Sequence, residues 1–357
     1  MDMEVYRQLA ERLDAIPNGV PKTESGVELR LLAKIFTPEE AGLAAVMRLH
    51  REPAAEIAAR AGVDPQLAHK LLKGMARKGL VRIKKGKGEL CFGLMPFVVG
   101  FYEEQLPHMD QEMAELVEQY LVETHSLGAS MGPSVHRVIP VKEAVPYQLG
   151  VYAYEQASAL LDSAQSWGVR DCICRVQQKL VGKGCERPLE ACLVFAPVEN
   201  AFMSDQTIRP LSKQSAFEIL QQAEDAGLVH TTGNYRDGHY YICNCCPCCC
   251  GVLRGLTEFD IPTALASSGF NSSVDEQICS GCGDCLESCH FGALSLSRDI
   301  CQVEISRCVG CGLCISACST GALQLVRRPD YAPPPTDLKE WMLQRATSRG
   351  ISIFDVL

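Results

Sequence analysis

The chain of 357 residues lacks the signatures by which many enzymes of its size betray a cofactor or a nucleophile. No dinucleotide glycine fingerprint, phosphate loop or serine nucleophile elbow occurs, so a flavin, nicotinamide or nucleotide site finds no support. No uninterrupted apolar run approaches the ~20 residues that a membrane-spanning helix requires. The opening MDMEVYRQLAERLDAI is charged and helical in period, without the apolar core and small-residue cleavage site of a secretory leader. These absences predict a soluble, cytoplasmic protein. In that setting the twenty cysteines are to be read as metal ligands in clusters rather than as a disulfide framework. The net charge of −9 is unevenly spread.

What is present is most legible between Cys279 and Cys318, where CSGCGDCLESCH is followed by CVGCGLCISACS. Each half spaces its cysteines C-x2-C-x2-C-x3-C, and the two halves are a repeat. Three cysteines two residues apart in a glycine-containing loop can wrap three corners of a 4Fe-4S cube, while the fourth corner lies out of local reach. Gly281, Gly283, Gly310 and Gly312 let the backbone approach the sulfurs and aim N–H groups at them. After each fourth cysteine comes a matching segment, from Phe291 and from Thr320, that reads as the start of a short strand. Zinc sites use paired cysteines and fit this doubled register less well.

Residues 272–328 thereby resemble the bacterial two-cluster (8Fe) ferredoxin domain. The resemblance implies two 4Fe-4S clusters with crossed fourth ligands: Cys279, Cys282 and Cys285 with Cys318, and Cys308, Cys311 and Cys314 with Cys289. It departs from the family pattern at His290 and Ser319, which stand where proline usually follows the fourth cysteine. Low-potential cubes are oxygen-sensitive, which implies an anaerobic or microaerobic setting.

The fold class expected for the whole chain is α+β and multidomain. After an N-terminal helical arm (1–27), residues 28–100 read as a winged helix-turn-helix. A helix over 28–36 ends at Thr37-Pro38, and Thr37 can cap a second helix running to His50. AAEIAARAG forms a third helix closed by Gly62, and Asp64 caps a fourth, PQLAHKLLKGMARKGL. Strand-like LVRIKK and ELCFGL follow, around the turn at Gly86-Lys87-Gly88. From Pro65 to Glu89 there are eight Lys or Arg and one acid. With Leu67, Leu71, Leu72 and Met75 facing in, Gln66, His69, Lys70, Lys73 and Arg77 face out. Lys70, Lys73 and Arg77 thus become candidate DNA contacts, set against the bland reading of a solvated basic face on a dimerisation or docking module.

Residues 101–150 read as a helical and extended connector, and 151–260 as a cysteine-rich α/β metal-binding domain. A helix is expected near 154–167, then a strand VRDCICRVQ on which Cys172 and Cys174 share a face. An amphipathic helix follows over 213–227. YYICNCCPCCCG then packs six cysteines into eight residues, too tightly for ordinary small hydrophobes. From Cys172, Cys174, Cys185, Cys192, Cys243, Cys245, Cys246, Cys248, Cys249 and Cys250 a third centre is expected, an iron-sulfur cluster first and structural zinc second. The combination of the three regions resembles iron-sulfur proteins described only as ferredoxin-like in anaerobic prokaryotes, a resemblance that supplies no reaction. Residues 329–357 read as a proline-rich linker and a helix. Three functions compete: an electron-transfer protein serving a redox enzyme or electron-carrier partner, a redox-sensing DNA-binding regulator, and a reductase acting at the cysteine-rich centre. The winged region also allows a homodimer.

Overall fold

The computed structural model describes residues 3–86, 88–126, 132–141, 144 and 152–352. Lys87 of the expected turn and much of the expected crossing segment 127–146 lie outside the described residues. Two compact units emerge, one comprising Met1–Gly132, Val176–Gly184 and Met342–Leu357, the other Pro133–Arg175 and Cys185–Trp341. Among the described residues no helix is long and apolar enough to cross a membrane.

In the first unit, α1 (Glu4–Asp14) and α2 (Val27–Ile35) bury Leu9, Leu13, Leu31 and Leu32, and α3 spans Pro38–Ala44. The Glu40 amide donates to Thr37 Oγ1 at 3.3 Å while the Thr37 amide donates to the Glu40 carboxylate at 3.0 Å. This reciprocal cap satisfies two of the helix's free N–H groups. Helix α3 ends at Ala44 rather than near His50, because the chain turns there to feed β1 (Glu52–Pro53). Then come α4 (Ala54–Ala61), α5 (Pro65–Arg77), β2 (Val81–Lys85) and β3 (Leu90–Leu94). The strands form an antiparallel sheet in the order β1-β3-β2. Gly62, at φ +67°, closes α4 in the left-handed region. Asp64 caps α5 by accepting from the amides of Gln66 and Leu67 at 3.0 and 2.9 Å.

Helix α5 buries Ala68, Leu72 and Met75, at i, i+4 and i+7, and leaves Leu67 exposed. The expected inward face was therefore off by one position at its start: Leu67, in the first turn, is exposed and Ala68 takes its place in the core. His69 is half-buried edge-on to Phe92, with ring centroids 5.9 Å apart. Helix α6 (Gln111–Glu123) packs on α2 and brings Tyr120 against Phe97.

The second unit is built on a seven-stranded sheet. Its members are β4 (His136–Ile139), β5 (Ser166–Asp171), β6 (Glu190–Ala196), β7 (Arg209–Leu211), β8 (Val229–Gly233), β9 (Tyr241–Cys245) and β10 (Leu265–Ala266), in the order β10-β4-β8-β9-β6-β5-β7. Only β10 against β4 is parallel, so this region is mixed but not the parallel βαβ type. The expected helix over 154–167 is one short helix, α7 (Ala157–Asp162), before Ser166 enters β5. The expected strand through Cys174 stops at Asp171. Ile173 opens α8 (Ile173–Leu180), so Cys172 and Cys174 do not share a strand face.

One face of the sheet packs Leu193, Phe195 and Ile242 against α7 and α9 (Lys213–Asp225). The other packs Val138, Val229 and Cys245 against α10 (Gly251–Thr257) and the C-terminal cysteine repeat. That repeat comprises β11 (Phe270–Val274), α11 (Asp284–Glu287), β12 (Leu294–Ser297), β13 (Ile300–Val303), α12 (Leu313–Ser316) and β14 (Leu323–Arg327), with β11 on β14 and β12 on β13. Both antiparallel pairs are short, so the layer depends on its neighbours and on whatever its loops enclose. The last helix, α13, spans Leu338–Ser348.

Candidate metal centres

The two halves of the repeat have the same backbone. Gly281 and Gly310 both lie at φ +68°, and Gly283 and Gly312 at +89° and +84° cap α11 and α12. A Cβ on Gly281 would meet the Asp299 carbonyl oxygen, and one on Gly310 the Phe270 carbonyl oxygen. Glycine is thus needed for both conformation and space. One small cavity is lined by Cys279, Cys282, Cys285 and Cys318, brought together across 39 positions of the repeat, with Cys301, Leu296 and Leu323 completing the wall. On the other side Cys311 and Cys314 feel the charges of Cys308 and Cys289. Burial pushes Cys314 up to about 12, so a bare thiolate is disfavoured there unless a cation compensates it.

Donors are aimed at these sulfurs. The amides of Ser272, Ala293 and Cys301 donate to Cys308, Cys289 and Cys279 at 3.4, 3.4 and 3.5 Å, and the Ser272 hydroxyl lies 3.2 Å from Cys314 Sγ. Such donors stabilise negative charge on ligating sulfur and set potential. The residues therefore fit a cube on both counts, four soft donors and a cradle that only glycine leaves open. Residues 278–322 match the 4Fe-4S dicluster domain. No curated protein and no solved structure matches the chain. The dicluster match, with the cysteine groups around it, supports an iron-sulfur electron-transfer role.

Cys301 escaped the sequence reading. It stands outside the repeat spacing, on β13, and only the β12–β13 pairing carries its buried thiol to 3.6 Å from Cys285 Sγ. His290, at one of the positions without proline, has its ring Nε2 2.7 Å from the Gly227 carbonyl and so ties the dicluster segment to the turn after α9.

The ten remaining candidates do not converge on one point. Cys185, Cys246, Cys248 and Cys249 have their sulfurs within 4.8 Å of one another, and among the described residues no other set of three or more ligand atoms is as tight. The contacts Cys185–Cys246, Cys185–Cys249 and Cys248–Cys249 are each 3.8 Å. Cys246 and Cys249, with Cys185 packed against them, sit in a small core with Ala191, Ala223 and Leu228. Cys249 donates to Cys246, and Arg175 lies 3.5 Å from its sulfur, which together hold the Cys246 thiol near 4 against the pull of burial. Cys248 is exposed, leaving a way in for a metal ion.

The other six belong elsewhere. Cys192 and Cys243 are direct cross-strand partners on β6 and β9, and Cys245 follows on the same face of β9. Cys243 and Cys245 share hydrogen-bonding contact, as do Cys192 and Cys243, Cys245 and Cys250, Cys250 and Cys174, and Cys174 and Cys172. Cys245 and Cys246 are adjacent in sequence but part company where β9 ends. The first joins the core that holds Cys289 and Cys311, the second joins the core that holds Cys185.

In the first unit Lys70, Lys73 and Arg77 are exposed on α5, as are Lys84 and Lys85 on β2. Helices α4 and α5 pack together and are followed by the β2–β3 hairpin.

Proposed function

We propose that the protein is an electron-transfer component that carries two 4Fe-4S clusters and a separate structural metal ion and serves a redox enzyme or electron-carrier partner in a reducing, cytoplasmic and oxygen-poor setting. The observation that carries the reading is the cavity uniting Cys318 with Cys279, Cys282 and Cys285, which supports crossed ligation of one cube, with Cys289 serving the other beside Cys308, Cys311 and Cys314. Bound there, the clusters supply one-electron storage and transfer. The chain's own contribution is to hold the sulfurs apart on glycine loops, to aim amides at them and to exclude water from the inner set. Cys308 and Cys314 are buried, whereas Cys282 is exposed beside exposed Ile278 and Leu296. The edge at Cys282 is therefore the face for a partner, since close approach of a donor or acceptor needs an apolar contact there.

For the ion at Cys185, Cys246, Cys248 and Cys249, the 3.8 Å sulfur spacing supports zinc rather than a cube. A tetrahedron's edge is about 1.6 times its centre-to-corner distance, so this edge matches the ~2.3 Å zinc–thiolate bond. The basic surface of α5 and β2 supports a second reading, a winged helix-turn-helix that touches nucleic acid. Because relay calls for paired cubes and sensing does not, that surface ranks below electron transfer and serves as a docking or dimer face.

The test is iron and sulfide analysis with EPR on anaerobically purified full chain. Two interacting S = 1/2 centres on reduction are expected, both lost when Cys282 and Cys311 are replaced together. Reduced protein without a paired-cluster signal would remove the relay reading.

A further inference from the structure

Of the ten upstream candidates the four-thiol ion leaves six unused, and their placement is not that of spare thiols. They come from four separate stretches: the end of β5 and the first turn of α8, β6, β9, and the residue before α10. Their contacts run Cys172 to Cys174 to Cys250 to Cys245 to Cys243 to Cys192, and Cys192 acts electrostatically on Cys172 to close the ring. All six thiols are half-buried or buried. Disulfide exchange within a strand is ruled against by geometry, since Cys243 and Cys245 point the same way at i and i+2 and a bridge prefers a closer Cβ approach.

Charge gives an independent indication of an anion here. Arg175 is 1% exposed. Its guanidinium reaches the Asn244 carbonyl at 3.1 and 3.2 Å and Cys246 Sγ at 3.5 Å, with Cys172 and Cys245 as further negative neighbours. Its Nε is buried with no hydrogen-bond partner. Arg170, the cross-strand partner of Cys192, hydrogen-bonds that sulfur. Two guanidinium groups set among thiols require compensating negative charge, and a thiolate-ligated cluster supplies it. Among the described residues no three of these six sulfurs lie within 4.8 Å of one another, so a single tetrahedral ion does not fit them, whereas a sulfide-bridged cluster spreads its thiolates over several metal corners.

We infer that Cys172, Cys174, Cys192, Cys243, Cys245 and Cys250 surround an additional iron-sulfur cluster of at least cube size, distinct from the four-thiol ion and from the dicluster pair. Each thiol that ligates gives its proton to solvent as iron binds. Cys243, Cys245 and Cys250 share one continuous apolar core with Cys289 and Cys311. The additional cluster is thus the neighbour of the inner cube and the inward end of the relay, a step that rests on the electron-transfer reading above.

The experiment uses the full chain, purified anaerobically and reconstituted with ferrous iron, sulfide and zinc. Acid-labile sulfide above the about eight per chain that two cubes hold is expected. Cys192→Ser with Cys243→Ser should remove at least about a third of that sulfide, while zinc and the paired-cluster EPR signal stay. Cys282→Ala with Cys311→Ala should remove the paired signal and leave the extra sulfide. Sulfide no higher than two cubes require in an unmodified chain that shows the paired-cluster EPR signal, a measurement that needs no variant to fold, overturns the additional cluster. So does sulfide unchanged by Cys192→Ser with Cys243→Ser. Loss of the relay reading alone looks different, since the Cys282 and Cys311 replacements would then leave sulfide and EPR as they were.

Discussion

Replacing Cys185 by alanine tests the four-thiol ion. Cys185 touches both Cys246 and Cys249 at 3.8 Å, so its loss opens one corner of the tetrahedron and leaves three sulfurs around the metal. Structural zinc in small folds contributes an apparent ~10–16 kcal/mol at neutral pH. Losing one of four ligands should cost enough of this to empty the site under dialysis against a chelator, whereas the unmodified chain keeps close to one zinc. The zinc edge of the X-ray absorption spectrum of the unmodified chain should show four sulfurs at about 2.3 Å. Because it is element-specific, iron bound elsewhere in the chain does not obscure it. Zinc content equal in the Cys185→Ala chain and its parent would refute the assignment, and so would an absorption spectrum with nitrogen or oxygen neighbours.

Cys318→Ala should damage the cube held with Cys279, Cys282 and Cys285 and spare the other, as read by EPR, and damage confined to the Cys308, Cys311 and Cys314 cube would sink the crossed arrangement. Changing Lys70, Lys73 and Arg77 together to glutamine should flatten any salt dependence of DNA binding by up to about three in log–log slope if all three meet phosphates, as measured by fluorescence anisotropy. An unchanged slope would make α5 a docking face only. Burial holds His136 down to about 4, below its ordinary 6.5, so the folded chain keeps the ring neutral while the unfolded chain takes up a proton. Stability is then full above about pH 6.5 and falls by roughly 3 kcal/mol as pH drops through 4. In His136→Gln the urea midpoint should decline less steeply over that range, and parallel declines in the two proteins would exclude burial of this ring as a cause.

The sequence by itself determined what is local or periodic. The doubled cysteine spacing defined the dicluster segment, because ligands three and four positions apart report a loop wrapped on a cube irrespective of the surrounding fold. Thr37 with Pro38 and Asp64 with Pro65 marked helix starts, since a cap is chemistry within four residues. Tertiary structure decided which distant sulfurs meet. Nothing in YYICNCCPCCCG shows that β9 ends at Cys245, yet that end separates Cys246 from its neighbour and sends the two to different cores. The same holds for Leu67, exposed while Ala68 beside it is buried, and for Cys301, which reaches the cavity only through strand pairing. Short-range spacing constrains geometry through the few dihedrals between two residues. Over tens of residues the chain can go anywhere, and only the packing of the whole sheet fixes where a sulfur arrives.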